Sequence, residues 1–195
     1  MTSSTPASGG DAVPPTAALL LVDIQVGFCP GGNLPVAGGD EVVPVANRWI
    51  DRFWSAGRPI LLTRDWHPAD HVSFRSRGGP WPPHCVQGTR DAEFHPGLTL
   101  PPVFTVVSKA MDPDREAYSD FEGTRLAEEL RARGVDTLYI AGLATDYCVH
   151  ANVLDARRAG FRVRVIRDGI RAVEVNPGDG ERALREMREA GAEFV

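Results

Sequence analysis

Lysine is almost missing from this chain of 195 residues: of its 21 basic residues 20 are arginine, and Lys109 stands alone. Either Lys109 is a chance survivor of a drift toward arginine, or it fills a place that only a compact, desolvatable ammonium fits. Cysteine is scarce as well. Cys29, Cys85 and Cys148 are odd in number and form no C-x-x-C pair, which argues against a disulfide framework and leaves any conspicuous cysteine to chemistry or to the core. The longest apolar run, Ala17 to Val22, falls far short of the roughly 20 residues of a membrane helix, so no membrane partner is expected. No Lys/Arg block is present to neutralise a row of phosphates, and the net charge of −5 is spread over both signs, which excludes nucleic acid as an expected partner. No basic residue precedes Arg48, and residues 1–16 are rich in Ser, Thr, Pro, Ala and Gly, unlike a secretory signal. The expectation is a cytoplasmic protein with a flexible leader over 1–16 and one domain over 17–195. With 43% hydrophobic and 24% charged residues, the chain has a globular rather than a disordered composition.

What is present is an alternation of short apolar runs with helical periods, the signature of βα repetition and a parallel sheet. Strands are expected at Ala17–Asp23, Pro59–Arg64, Val103–Ser108, Thr137–Ala141 and Phe161–Arg167, with a short sixth at Glu193–Val195. Helices are expected at Asp40–Ala56, Phe121–Arg133, Thr145–Ala159 and Pro177–Ala190, the first placing Val42, Ala46, Trp49, Ile50 and Phe53 on one face. Right-handed crossovers then imply an α/β fold: a three-layer, doubly wound sheet, mainly parallel, of five to six strands with helices on both faces. Residues 65–102, rich in Pro, Gly, His and Trp, break the rhythm, and so long an insert in a compact domain is usually functional.

Ligands of open α/β sheets bind beyond the carboxyl ends of the strands. Asp23, Asp65, His67, Lys109 and Cys148 all fall at that edge. Cys148 follows Gly142-Leu-Ala-Thr-Asp146, with Thr145 as N-cap, so its thiol is expected over the positive end of a helix and correspondingly acidic. Asp23 closes a wholly apolar strand, where an acid is costly unless paired; Lys109 offers it a partner and Cys148 a proton to remove. Asp65-Trp-His67 puts two donors on one side of extended backbone, and His84 from the long insert completes a set of one carboxylate and two imidazoles, suited to one divalent metal ion, Zn²⁺, Fe²⁺ or Mn²⁺. His71 is either a further ligand or a bystander.

Several motifs in fixed order carry a resemblance that runs from about Ala18 to the C-terminus: Val22-Asp-Ile-Gln25 with Phe28-Cys-Pro-Gly-Gly32, Arg64-Asp-Trp-His-Pro68 with His71, Gly79-Pro-Trp-Pro-Pro-His-Cys-Val-Gln-Gly-Thr89, Ser108-Lys109, Glu116-Ala-Tyr-Ser119 and Gly142-Leu-Ala-Thr-Asp-Tyr-Cys148. The chain resembles the nicotinamidase (pyrazinamidase) branch of the isochorismatase-like cysteine hydrolases. The resemblance implies hydrolysis of nicotinamide to nicotinate and ammonia through a cysteine thioester, in NAD salvage. It implies a triad of Asp23, Lys109 and Cys148, a metal held by Asp65, His67 and His84 with Zn²⁺ foremost, and a substrate pocket walled by Phe28, Trp81 and Tyr118 with Leu34 nearby. It also implies an oxyanion hole from the backbone N–H groups of Ala144 and Cys148, beside a cis peptide at Leu143–Ala144. Val26 and Gly27 depart from the Asn and Asp of many relatives, and Tyr147 occupies a variable position beside the pocket. An amidase of the same fold acting on another small amide, or a non-catalytic metal- or redox-sensing protein, would use many of the same residues; a homo-oligomer is left open.

Overall fold

Strands β1 (Ala17–Val22), β2 (Ile60–Asp65), β3 (Thr105–Lys109), β4 (Thr137–Leu143), β5 (Arg162–Arg171) and β6 (Glu193–Phe194) pair into one sheet. Its order is β3-β2-β1-β4-β5-β6 and every pairing is parallel. The computed structural model describes residues 12–195, and residues 1–11 of the expected leader lie outside them. Of the leader's last residues, Val13 packs on the core, and the Thr16 hydroxyl donates to Asp136 Oδ1 at 2.8 Å.

Helix α1 (Val42–Ser55) covers one face, where Leu19, Leu21, Leu62, Tyr139, Ala141 and Ile166 meet its Val42, Ala46, Ile50 and Phe53. Helices α2 (Leu126–Ala132), α3 (His150–Arg158) and α4 (Asp179–Glu189) cover the other, over Ala18, Leu20, Val22, Leu138, Ile140 and Val165. Successive residues of β1 therefore feed opposite cores, which is why this strand reads as an unbroken apolar run.

Most boundaries shift by one or two residues, and four of the shifts have a visible cause. β3 begins two residues late, because Val103 is exposed in the approach to the strand. β5 runs on to Arg171 past a bulge where its register with β4 shifts between Ile140 and Gly142. Helix α2 starts at Leu126 instead of Phe121, since Gly123 turns the chain at φ +66° and the Thr124 hydroxyl accepts from Leu126 N–H. The expected helix from Thr145 opens as a π-turn, Thr145–Val149, and only then becomes α3; its N-cap is Ala144, with no side-chain cap from Thr145.

The sheet changes direction of growth between β1 and β4: β1, β2 and β3 build one way, then the chain returns to lay β4 on the free side of β1. Such a switch point opens a crevice at the carboxyl ends of the two central strands. Gly142 sits there, paired with Val22, at φ +126°. A Cβ at this position would lie 1.9 Å from the Val22 carbonyl oxygen, so β4 can pass the end of β1 only as glycine. Gly142→Ala is expected to cost about 3 kcal/mol or more, which for a chain of this size lowers the unfolding midpoint by roughly 6–12 °C in a calorimetric scan.

Candidate active site

Asp23 leaves the end of β1 in the left-handed region, φ +48°, a strained backbone for a non-glycine residue. Thr63 of β2 holds it: its hydroxyl accepts from Asp23 N–H at 3.3 Å and donates to Asp23 Oδ1 at 2.8 Å. The second oxygen, Oδ2, receives a short hydrogen bond from Lys109 Nζ. Lys109 ends β3, and its side chain is fully buried. Its ammonium also lies 3.1 Å from Asp65 Oδ1 and 3.3 Å from Asp120 Oδ1. Burial opposes the charge on Lys109, but Asp120, Asp23 and Asp65 outweigh it and hold the amine charged well beyond its usual range. The lone lysine is thus no surface survivor.

Cys148 sits in the π-turn after β4, and its Sγ lies with the carboxylate oxygens of Asp23 and Asp65 inside a 4.8 Å cluster. The three triad positions expected from the sequence therefore meet, although β3 and β4 are separated by two strands. The expected acidity of the thiol is corrected: burial holds its pKa well up, Lys109 draws it down, and Asp23 raises it again through its charge and by accepting the thiol's hydrogen bond. The group rests as a thiol beside a base, not as a preformed thiolate. Asp23 is itself pushed up to about 7, chiefly by burial against the opposing pull of Lys109. The peptide bond Leu143–Ala144 is cis, and Ala144 O accepts from Tyr147 N–H and Val149 N–H, both at 3.1 Å.

The long insert folds back on itself beside this cluster. His67 N–H donates to Cys85 O at 3.1 Å and Gln87 N–H to His67 O at 2.8 Å, which returns His84 to the neighbourhood of His67. Phe74, fully buried, packs its ring against His67, His71 and His84. The donor atoms of Asp65, His67 and His84 lie within 4.8 Å of one another, all buried. His67 Nδ1 has no hydrogen-bond partner, its Nε2 faces Asp65 Oδ2 at 3.4 Å, and Asp65 Oδ1 faces Lys109. His84 Nδ1 donates to Pro82 O at 2.8 Å, leaving Nε2 as the free lone pair toward Asp65. Burial works against the Asp65 charge, yet Lys109 and the two histidines hold its carboxyl well below the ordinary range. These residues fit a divalent metal ion: a charged carboxylate and imidazole nitrogens without other partners. His71 does not join them. Its Nε2 donates to Arg115 O at 3.0 Å and its Nδ1 accepts from Ser73 Oγ at 2.7 Å, so it supports His67 by ring packing alone.

Of the expected pocket walls, Phe28 packs on the His84 ring at 5.5 Å. Trp81 Nε1 donates to the Tyr118 hydroxyl at 3.0 Å. Tyr147 joins them, its ring 5.1 Å from Trp81 and 5.5 Å from Tyr118. Gly27 is glycine for a visible reason, since a Cβ there would meet Asp91 Oδ2 at 2.6 Å. That carboxylate accepts from Cys85 N–H and Asn33 N–H, tying the Phe28 loop to the His84 loop. Four supporting residues were not singled out in the sequence: Thr63, Asp91, Asp120 and Asn152. Gln25, quoted only as part of a motif, accepts from Asp65 N–H and donates to Asp65 O, fixing the backbone of that residue.

The family model described as Isochorismatase domain matches residues 17–195. The nicotinamidase of Escherichia coli is 43% identical, over 91% of this chain and 93% of that one. The nicotinamidase/pyrazinamidase of Mycobacterium tuberculosis is 38% identical, over 91% and 97%. The crystal structure of the pyrazinamidase of Pyrococcus horikoshii in complex with zinc superimposes with a TM-score of 0.89 at 51% identity, over 93% of this chain and 99% of that one.

The two histidines at the edges of the metal-donor set should behave oppositely. His84→Ala removes one of three protein donors and is expected to leave the purified protein with well under one equivalent of metal by atomic emission. His71→Ala is expected to keep a full equivalent, because neither ring nitrogen is available to an ion.

Proposed function

The chain belongs to the isochorismatase family, and on that footing we propose that it hydrolyses nicotinamide to nicotinate and ammonia in the cytoplasm, as a step of NAD salvage. The observation that carries this reading is the meeting of a thiol, a buried carboxylate and a buried ammonium at the switch point, beside a metal-donor set and an aromatic wall. Zn²⁺ is the ion best suited to Asp65, His67 and His84, by the one-carboxylate, two-imidazole donor set and by the zinc complex of the Pyrococcus horikoshii relative. When bound, it supplies a Lewis-acid site for the pyridine nitrogen and so orients the ring.

In the proposed cycle Phe28, Trp81 and Tyr118 flank the ring, and Tyr147 closes the pocket beside the thiol. Asp23 takes the Cys148 proton as sulfur attacks the carboxamide carbon. The oxyanion is received by the N–H groups of Ala144 and Cys148. Asp23 returns the proton to the departing nitrogen, ammonia leaves, and a thioester remains. Water, deprotonated by Asp23, attacks that thioester to give nicotinate and restore the thiol. Lys109 stays charged throughout and opposes each negative charge that forms. The relatives named as pyrazinamidases support pyrazinamide as a second substrate.

Ammonia release from nicotinamide by the metal-loaded protein tests the reaction; a protein that holds metal yet releases none would refute it. Burial raises all three thiols, but Cys148 hydrogen-bonds to Asp23, a carboxylate that can take its proton. Limited iodoacetamide is therefore expected to modify Cys148 first by mass spectrometry, with activity lost in step.

The pH dependence follows from Asp23. Its pKa is raised, so the carboxylate that must accept a proton predominates only above about pH 7. As pH falls below that value kcat/KM is expected to drop roughly tenfold per unit, with a plateau above it. A profile still flat at pH 5 would exclude Asp23 as the base.

A further inference from the structure

We infer that Asp120 and Asn152 are positioning residues that hold the Lys109 ammonium and the Cys148 backbone in one register. The inference rests on the reaction proposed above. Lys109 and Cys148 have to act on the same atoms, yet β3 and β4 stand three strand spacings apart, about 14 Å. The lysine chain must therefore cross the ends of β2 and β1, and its tip needs an anchor on the Cys148 side.

Two of the three carboxylates around that tip have other duties: Asp23 exchanges a proton, and Asp65 belongs to the metal-donor set. Asp120 has neither. It is fully buried, and its Oδ1 lies 3.3 Å from Lys109 Nζ with no hydrogen-bond partner of its own. A buried, unsatisfied carboxylate oxygen is expensive. Here its charge faces the only lysine in the chain. Its other oxygen accepts from Asn152 Nδ2 at 2.8 Å, and its own N–H donates to Asn152 Oδ1 at 3.1 Å. Asn152 Nδ2 also donates to the Cys148 carbonyl at 2.9 Å. One fully buried amide therefore joins the nucleophile's backbone to the carboxylate that faces the cation. When Asp23 takes the thiol proton its hold on Lys109 weakens, and Asp120 still fixes the ammonium toward the sulfur.

The single lysine makes this directly observable. In metal-loaded protein labelled with ¹⁵N-lysine, the side-chain ammonium gives one signal, which the buried cage is expected to protect from exchange with water. Asn152→Ala does not touch Lys109, yet it is expected to shift or broaden that signal. The same variant is expected to lower kcat for nicotinamide on the order of 10-fold to 100-fold, with KM held within about twofold. Asp120→Ala should do the same, and the double variant no worse than the weaker single, since the pair acts as a unit. If either alanine variant does not fold, the isosteric Asp120→Asn carries the test with the same two readouts. A wild-type signal lost to exchange, or a folded Asn152→Ala protein in which either the signal or kcat stays at its wild-type value, overturns the inference. Because the spectrum needs no substrate, it decides the positioning even if nicotinamide proves not to be hydrolysed.

Discussion

Three carboxylates, Asp23, Asp65 and Asp120, converge on one buried ammonium, Lys109. Left alone, that cluster carries an excess of two negative charges, which a low-dielectric interior does not tolerate. Two means of relief are built in. Asp65 faces His67 and His84, a donor set that can take a divalent cation and cancel the excess. Asp23 takes up a proton far more readily than an ordinary carboxyl. Metal binding and proton transfer thus draw on the same electrostatic imbalance, and the sheet supplies the geometry by ending β1, β2, β3 and β4 along one edge.

Much of this was legible in the residues because strand ends are. A continuous apolar run followed by an acid placed Asp23 at the end of β1, and the same reasoning placed Asp65 and Lys109 at the ends of β2 and β3. The supporting shell was not legible. Asp120 reads as one polar residue among several in a loop, and its burial arises only when the turn after Tyr118 packs on α3. Asn152 did carry a signal, since it lies four residues beyond Cys148 and so on the same helical face. Polar residues on a helix are ordinarily solvated, however, and no pattern of spacing tells the buried one from the rest.

The start of α3 departs from its sequence pattern for a related reason. Thr145 has the chemistry of an N-cap, but Ala144 holds that place and the turn that follows takes one extra residue. Propensity at Thr145 yielded to the tertiary demand that the Cys148 thiol face Asp23. The thiol consequently owes its environment to Asp23, Lys109 and burial more than to the end of a helix. The insert between β2 and β3 behaves in the opposite manner: its regular structure is limited to two single 3-10 turns, Arg75–Arg77 and Arg90–Ala92, yet it is ordered by side chains, with Phe74 as its local core and Asp91 and Gln25 as its ties to the sheet.

Lys109 also has a consequence outside catalysis. Its ε-amine is fully enclosed, and no other lysine exists in the chain. Reagents that acylate amines under native conditions find no exposed lysine to attack. The same reagents would reach Lys109 once the sheet has opened, making acylation of a single lysine a report on unfolding.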